Sequence, residues 1–570
     1  MGNLFESYIN KIAAKKKYHF WFFLLGLILL TCIMSYIYPI TQWGHDYSFH
    51  MLRFNALIDA LRDGQFPNYI DYTSVNNYGY LSKAFYCDLL LVPFAIVGIF
   101  TNTLFAYKTL LFTITILSGI FMYWAVNKLF QNTYVASVSA ILYTFSYYRL
   151  LDIYWRGALG ESLAFTFIPI IIVGIYYIIQ GDYRKWYIIA IGYSLLIFSH
   201  VISSVLVFIT MIIIMTICYK ALVKEPKRLV YLCVAGIVTL FIVSYYLCPM
   251  IEQMLSNNFK YQNSSGLLIN AQLKFFQIIW GMFCGFISTD IQFTPGIGLL
   301  LTLALFIRLF VSKEKSNKLL KAVDIGVIIG LVYIFISSSY FPWKLFPFSK
   351  LSFIQLPWRL YMLTTLFFAI AGGYYLSLLI KSNTKALISI LSIMILTVIM
   401  MKNDSWNFIN STPEKLKSEN TIHTTNNIHT DYYLQGGEYL PDKLPSLQYI
   451  EDRGEVVKYK NDDTRVFDLK KEKGVTSFHA DIIKADNLEI PLLYYKGYNA
   501  TLNNEPIDIK QSESGLIEIP INQSGDIKVT YSGSFTQKIS LYITLISIII
   551  LCLYIFISKR KKFLKMKKNA

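Results

Sequence analysis

The sequence predicts a polytopic α-helical membrane protein with an all-β, sandwich-like domain placed before its last helix. Three observations predict it. Apolar stretches of roughly 18 or more residues, the length that crosses about 30 Å of hydrocarbon, recur through most of the chain. Of its 570 residues, 55% are hydrophobic and only 15% charged. Lysines and arginines fall in short clusters between the apolar stretches, the pattern of cytoplasmic loops. From residue 403 to about 537 the composition turns polar, with short alternating stretches separated by Gly, Asn, Asp and Pro. The net charge of +17 thus belongs to loops, and no nucleic-acid-binding face is indicated.

Basic residues stay on the cytoplasmic side, so their placement orients each helix. Lys15, Lys16 and Lys17 put the N-terminus inside. Trp21 to Ile40 then crosses outward with no small-residue cleavage site behind it, which reads as an uncleaved first helix. The loop from Trp43 to Asp88 is therefore external. Phe85–Phe100, Leu104–Val126, Tyr134–Leu151 and Ser162–Ile179 follow as apolar pieces. Trp186 to Tyr219 is on the order of 50 Å long at about 1.5 Å per residue, so it crosses twice with a break at Ser199-His200. With Arg184 and Lys185 inside, the polar knot from Asp152 to Glu161 is external, like Asp46. Phe85–Phe100, which contains Asp88 and Pro93, then dips into the membrane or lies along it. The rival parity, in which it crosses and Trp186–Tyr219 is one tilted helix, strands Lys128, Arg184 and Lys185 outside.

Lys220, Lys224, Lys227 and Arg228 are inside, and Leu229–Leu247 leads out. Phe275–Ile287 reads as a re-entrant piece, and Pro295–Phe310 returns to the Lys313-Glu314-Lys315 cluster. Val323–Ser337 goes out to the loop Phe341–Trp358, Arg359–Leu379 comes back to Lys381 and Lys385, and Ala386–Met401 goes out again. Alternation at Glu455–Tyr459, Phe478–Ile483 and Asp526–Tyr531 marks antiparallel strands of a sandwich. Ile539–Ile557 re-enters, and Lys559, Arg560, Lys561 and Lys562 fix the C-terminus inside. The expected division is a transmembrane domain at 1–402, an extracytoplasmic β-rich domain at 403–537, and a last helix with a basic cytoplasmic tail at 538–570. About twelve crossings, with both termini cytoplasmic, locate the chain in the cell membrane among its lipids.

Six of the seven cysteines lie in or beside apolar segments, and Cys87 ends the first loop. None has metal-ligand spacing, so neither a zinc site nor a disulfide framework is indicated. The lack of a Walker motif and of Gly-x-Gly-x-x-Gly after a strand argues against direct coupling to ATP.

Ionisable residues at a membrane boundary mark either a site or a solvated cap. Asp46 is either a general base or binding carboxylate, or the N-cap of a helix running from Tyr47 to Leu61. His50 and Arg53 follow at i+4 and i+7 and could share a face with it, a set suited to a phosphate; the plainer reading is an interfacial helix with solvated charges. In the knot, Arg156 and Glu161 flank Gly157 and Gly160, which let backbone approach a ligand; an aromatic-belt turn is the alternative. His200 sits in an apolar run, as a buried histidine or a site residue. Arg359 follows Pro357 in the first turn of a helix, against the dipole, so it wants an anion nearby or snorkels to headgroups.

These residues fall in a pattern. Gly44-x-Asp46-x-x-x-His50-x-x-Arg53, Gly64-x-Phe66-Pro67, Phe85-Tyr86, Tyr154-x-Arg156-Gly157-Ala158-x-Gly160-Glu161, Ser199-His200 and Gln355-x-Pro357-Trp358-Arg359 come in that order. Glu438-Tyr439-Leu440-Pro441 and Pro491-x-x-Tyr494-Tyr495-x-Gly497-Tyr498 continue it through the β domain. The chain resembles the YfhO-like bacterial membrane proteins, also labelled 6-pyruvoyl-tetrahydropterin synthase-related, over nearly its whole length. Nothing in it suggests pterin chemistry. That family resembles the GT-C class of glycosyltransferases, which take sugar from a polyprenyl-phosphate carrier on the outer face of the membrane.

The resemblance implies a GT-C-like transmembrane domain and inverting transfer to an envelope glycan. Asp46 would be the base or acceptor-orienting carboxylate, and Glu161 the counterpart of a second external acid. Arg53, Arg156 or Arg359 would hold the departing carrier phosphate, with His50, His200 and Gln355 completing the substrate site. A divalent metal is left open, because no clear Asp-x-Asp is present. The alternative is a non-catalytic carrier transporter or flippase, or an envelope-assembly scaffold whose polar loops only line a passage.

Overall fold

The computed structural model describes residues 16–38, 46–263, 271–283, 295–312, 317–411 and 437–568. Trp43, Gly44, His45 and the Lys313-Glu314-Lys315 cluster lie outside them. Among the described residues seven helices are long and apolar enough to cross a membrane: His19–Ile37, Thr103–Phe130, Leu159–Ile179, Lys318–Ile336, Pro357–Leu379, Asn383–Asn410 and Phe535–Arg560. Lys227–Ile242 and Ser244–Ser256, bent by 70° at their junction, make an eighth if counted as one span. Shorter apolar helices occupy Thr133–Thr144, Val201–Ile217 and Leu299–Phe310. This composition suits a polytopic membrane protein.

Several stretches that read as continuous in the sequence are broken, each for a local reason. Trp186–Tyr219 divides into helices Tyr187–Ser199 and Val201–Ile217, because His200 is extended (φ −161°, ψ 116°) and its ring accepts a bond from Ser203 N as the N-cap of the second helix. Tyr134–Leu151 ends its α-helix at Thr144, restarts for one turn at Tyr147–Leu150, and winds into a π-turn over Leu151–Trp155. Leu229–Leu247 stops at Ile242, and the bent continuation carries Pro249 inside it. Phe85–Phe100 holds a helix of only nine residues, Val92–Phe100, about 13 Å of rise and short of a crossing. Asn383–Ser411 runs unbroken past residue 402, so the polar composition that begins there is first carried on a helix.

The chain divides into two compact units. The first comprises Met1–Tyr47, Lys108–Gly236 and Ser265–Ile422. Its helices pack closely where small residues face neighbours, as membrane helices do. A Cβ on Gly174 would lie 2.7 Å from the backbone of Ile189, so Leu159–Ile179 and Tyr187–Ser199 touch there only because the residue is glycine.

The second unit comprises Ser48–Tyr107, Ile237–Ser264 and His423–Ala570. Its described residues contain eight strands: β1 (Arg465–Glu472), β2 (Val475–Asp481), β3 (Asp486–Leu493), β4 (Tyr498–Leu502), β5 (Glu505–Ile507), β6 (Lys510–Gln511), β7 (Leu516–Ile521) and β8 (Gly525–Tyr531). They form sheets of order β1-β2-β8-β4-β5 and β3-β7-β6, every pairing antiparallel. Along β2 buried residues alternate with half-buried ones, and along β8 with exposed ones. The inward sets of both sheets, Phe478, Ala480, Ile527 and Val529 from one and Leu488, Ile490, Ile517 and Ile519 from the other, share a single apolar core. That is sandwich packing, with one face of each sheet buried.

Candidate active site

The polar knot is where the first unit concentrates charge. It opens in the π-turn Leu151–Trp155, a rare geometry that recurs at functional sites. It places Asp152 on the same side as Arg156, which donates from Nη1 to Asp152 Oδ1 at 2.5 Å. The chain then reverses at Gly157, whose φ is +65°. A Cβ there would meet the backbone N of Tyr47 at 2.8 Å and its Cα at 2.9 Å, so any other residue would push the Asp46–Tyr47 segment away. Asp46 N donates to Arg156 O at 2.8 Å, which ties that segment to the knot.

Glu161 stands in the first turn of Leu159–Ile179, where a carboxylate is favoured by the helix dipole. It is 1% exposed and accepts from Arg156 Nη1, and Arg359 Nε lies 3.5 Å from its Oε2. Arg359 comes from the 3₁₀-turn Pro357–Leu360 and donates from Nη1 to Ile354 O (2.8 Å) and Gln355 Oε1 (2.9 Å). Gln355 is held at φ +61°, a left-handed conformation that costs a non-glycine residue energy. Trp358 of the same turn lies under the Arg156 guanidinium, 4.8 Å from carbon to ring centre. Gly160 completes the set: a Cβ there would approach His200 Cδ2 to 3.1 Å, so its absence lets the histidine close on the start of the helix.

Two guanidiniums and two carboxylates therefore meet in a buried cluster with His200 beside them, and Asp46 is half-buried at its margin. Burial opposes the charge on Arg156, but Glu161, Asp152 and Asp46 together outweigh it and hold the group protonated. Burial, then the neighbouring Glu161, pushes the Asp152 carboxyl well above the ordinary carboxylate range against the pull of Arg156. Chemically, such a cluster holds cationic groups fixed and dehydrated beside a carboxylate, an arrangement that stabilises developing negative charge.

The sequence-predicted residues divide between the units. Arg156, Glu161, His200, Gln355 and Arg359 come together as described, next to Asp46. His50 and Arg53 belong to the second unit, on the helix Tyr47–Arg62. There Arg53 pairs through Nε with Asp88 Oδ1 at 3.3 Å and lies over the Tyr86 ring at 5.1 Å, while Lys83 pairs with Asp71 at 2.9 Å and sits 3.7 Å from Asp88.

Sequence reasoning missed three participants. Tyr148 donates from its hydroxyl to Glu161 at a long 3.5 Å. Asp152 was read only as part of the knot, although its i,i+4 spacing to Arg156 was visible. Asp404 was assigned to the polar domain, but it is buried, accepting from Tyr38 Oη and from Trp155 Nε1 (3.2 Å), one residue before Arg156. Among the described residues no three His, Cys, Asp or Glu side chains converge as a metal-binding set. No family model, curated protein or solved structure matches the chain.

Proposed function

We propose that this chain is a membrane glycosyltransferase of the GT-C type, moving a sugar from a polyprenyl-phosphate carrier to an envelope polymer or glycolipid on the outer face of the cytoplasmic membrane. The supporting observation is the direct tie between the Asp46 segment and Arg156, in the unit built from membrane-length helices. It sets Asp46 beside Arg156, near enough for its carboxylate to act on the charge of that guanidinium. The resemblance of its motifs to those of YfhO-like proteins is a further reason for this reading.

In this reading an acceptor hydroxyl loses its proton to Asp46 as its oxygen attacks the anomeric carbon. The bond from that carbon to the carrier phosphate oxygen breaks, and the phosphate leaves with the electron pair. Arg156 and Arg359 balance its charge. A single displacement of this kind inverts the anomeric centre. Asp152 and Glu161 are positioning residues that hold the guanidiniums, Gln355 orients Arg359, and His200 closes the floor of the site. The sandwich would engage the acceptor polymer.

A second reading, a non-catalytic carrier transporter or assembly scaffold, is favoured by one observation. Both guanidiniums are already engaged by buried acids or carbonyls, so a phosphate must compete for them. The two separate on Asp46→Ala, with envelope glycans read by mass spectrometry and carrier flipping measured in parallel. Loss of the glycan modification with normal protein level and unchanged flipping supports catalysis. An unchanged glycan spectrum removes Asp46 from the chemistry.

A further inference from the structure

The first unit holds a cleft of about 590 Å³, inside the size range of ligand pockets and distinct from the charged cluster in its chemistry. Its walls are almost entirely apolar: Phe20, Tyr123, Trp124, Ile170, Ile188 and Ile191, from four different helices. Asn127 and Thr133 are its polar lining residues; Lys128 follows Asn127 in the last turn of its helix, and Lys185 comes three residues before Ile188 at the end of a 3₁₀-turn.

The two lysines converge. Lys185 donates from Nζ to Tyr177 Oη at 3.2 Å and lies 4.4 Å from that ring's centre, and Lys128 Nζ approaches the same ring to 6.0 Å. Tyr177 packs in one apolar cluster with Ala125, Val173 and Ile188, and Ile188 also lines the cleft. Neither lysine is ion-paired with a carboxylate among the described residues. Arg228 by contrast is occupied, pairing with Glu225 at 2.9 Å and donating to the carbonyls of Ile178 and Gly181.

We propose that this cleft is a binding site for an anionic phospholipid, one acyl chain lying against the apolar wall and the headgroup phosphate meeting Lys128 and Lys185. Charge selects the occupant. An apolar cleft between membrane helices accepts any acyl chain, whereas a pair of lysines beside it with no carboxylate partner among the described residues favours a phosphate carrying net negative charge; basic pockets between membrane helices recognise anionic headgroups in this way. The site needs the membrane reading of the helices but not the glycosyl-transfer reading, so it stands or falls separately from it.

Native mass spectrometry of the full chain in detergent with phosphatidylglycerol or phosphatidylcholine added tests it. Retention of phosphatidylglycerol in preference to phosphatidylcholine is expected, with K128A/K185A weakening phosphatidylglycerol binding about 30-fold while leaving phosphatidylcholine unchanged. Equal retention of the two lipids by the wild-type chain, or undiminished phosphatidylglycerol binding by the double variant, overturns it. A second measurement does not depend on that variant folding. Phosphatidylglycerol brominated on its acyl chains should quench the fluorescence of Trp124 more than brominated phosphatidylcholine does, the difference vanishing in Trp124→Phe. Equal quenching by the two lipids overturns the proposal as well.

Discussion

Replacing Glu161 with glutamine keeps the shape of the side chain and removes its charge from a site that is 1% exposed. Arg156 keeps Asp152 as a partner at 2.5 Å. Arg359 keeps its bonds to Ile354 O and Gln355 Oε1 but loses, among the described residues, its one carboxylate within salt-bridge distance. One buried guanidinium is therefore left without a counter-ion, and breaking a buried pair costs roughly 3–5 kcal/mol. The surviving hydrogen bonds put Glu161→Gln at the lower end, about 3 kcal/mol. Removing the stranded charge as well, with Arg359→Gln in the same chain, should cost less than the two single changes added together, by about 1–2 kcal/mol. Denaturant unfolding in detergent micelles across the four chains measures this cycle. Strict additivity, or wild-type stability of Glu161→Gln alone, would refute the view that the cluster is held by charge balance.

Gly157→Ala should disturb the site more than the fold. The left-handed backbone and the 2.8 Å approach to Tyr47 N cost about 1–3 kcal/mol, and transfer should fall while far-ultraviolet dichroism stays that of the wild type. In the sandwich, Ile519→Ala empties a fully buried position and should destabilise the domain by about 2–5 kcal/mol, read by urea unfolding. Asp486 gives a pH test. Burial alone would raise its carboxyl, but bonds from Thr464 Oγ1 and the backbone of Asn461, Asn487 and Lys460 outweigh it and hold it below the ordinary value. A depressed carboxyl stabilises the fold above its ordinary value, and that contribution is lost as pH falls through the depressed one. The acid limb of β-domain stability should therefore flatten in Asp486→Asn; an unchanged limb would contradict it.

How much of this was legible in the sequence follows from the range of the forces involved. The strands were legible because one face of each is buried, and burial writes a period of two into β2 and β8. The shortness of Val92–Phe100 was legible because length decides a crossing. Arg156, Glu161 and Arg359 are each singled out by their motifs, but the approach of Arg359 to Glu161 is not, because a salt bridge across nearly two hundred residues leaves no periodic trace. Arg53 shows the same limit, its partner Asp88 lying on a different element. Asp404 was hidden by composition: after Lys402 and Asn403 it reads as the start of a polar domain, yet the helix carries it on to Tyr38 and Trp155. The breaks at His200 and Val243 are local backbone choices; Ser199-His200 announces the first, whereas the lone Ser244 beside the second does not interrupt an apolar run enough to announce it.

The central claim is that Asp46 takes the acceptor proton, and it is tested most directly by turnover of a carrier-linked labelled sugar in membranes bearing Asp46→Asn at matched protein level. The amide keeps the side chain's size and cannot accept the proton. Catalysis by Asp46 predicts a loss of turnover of 100-fold or more, on the order of a general base's contribution. Wild-type release of sugar from the carrier by the Asp46→Asn chain would contradict it.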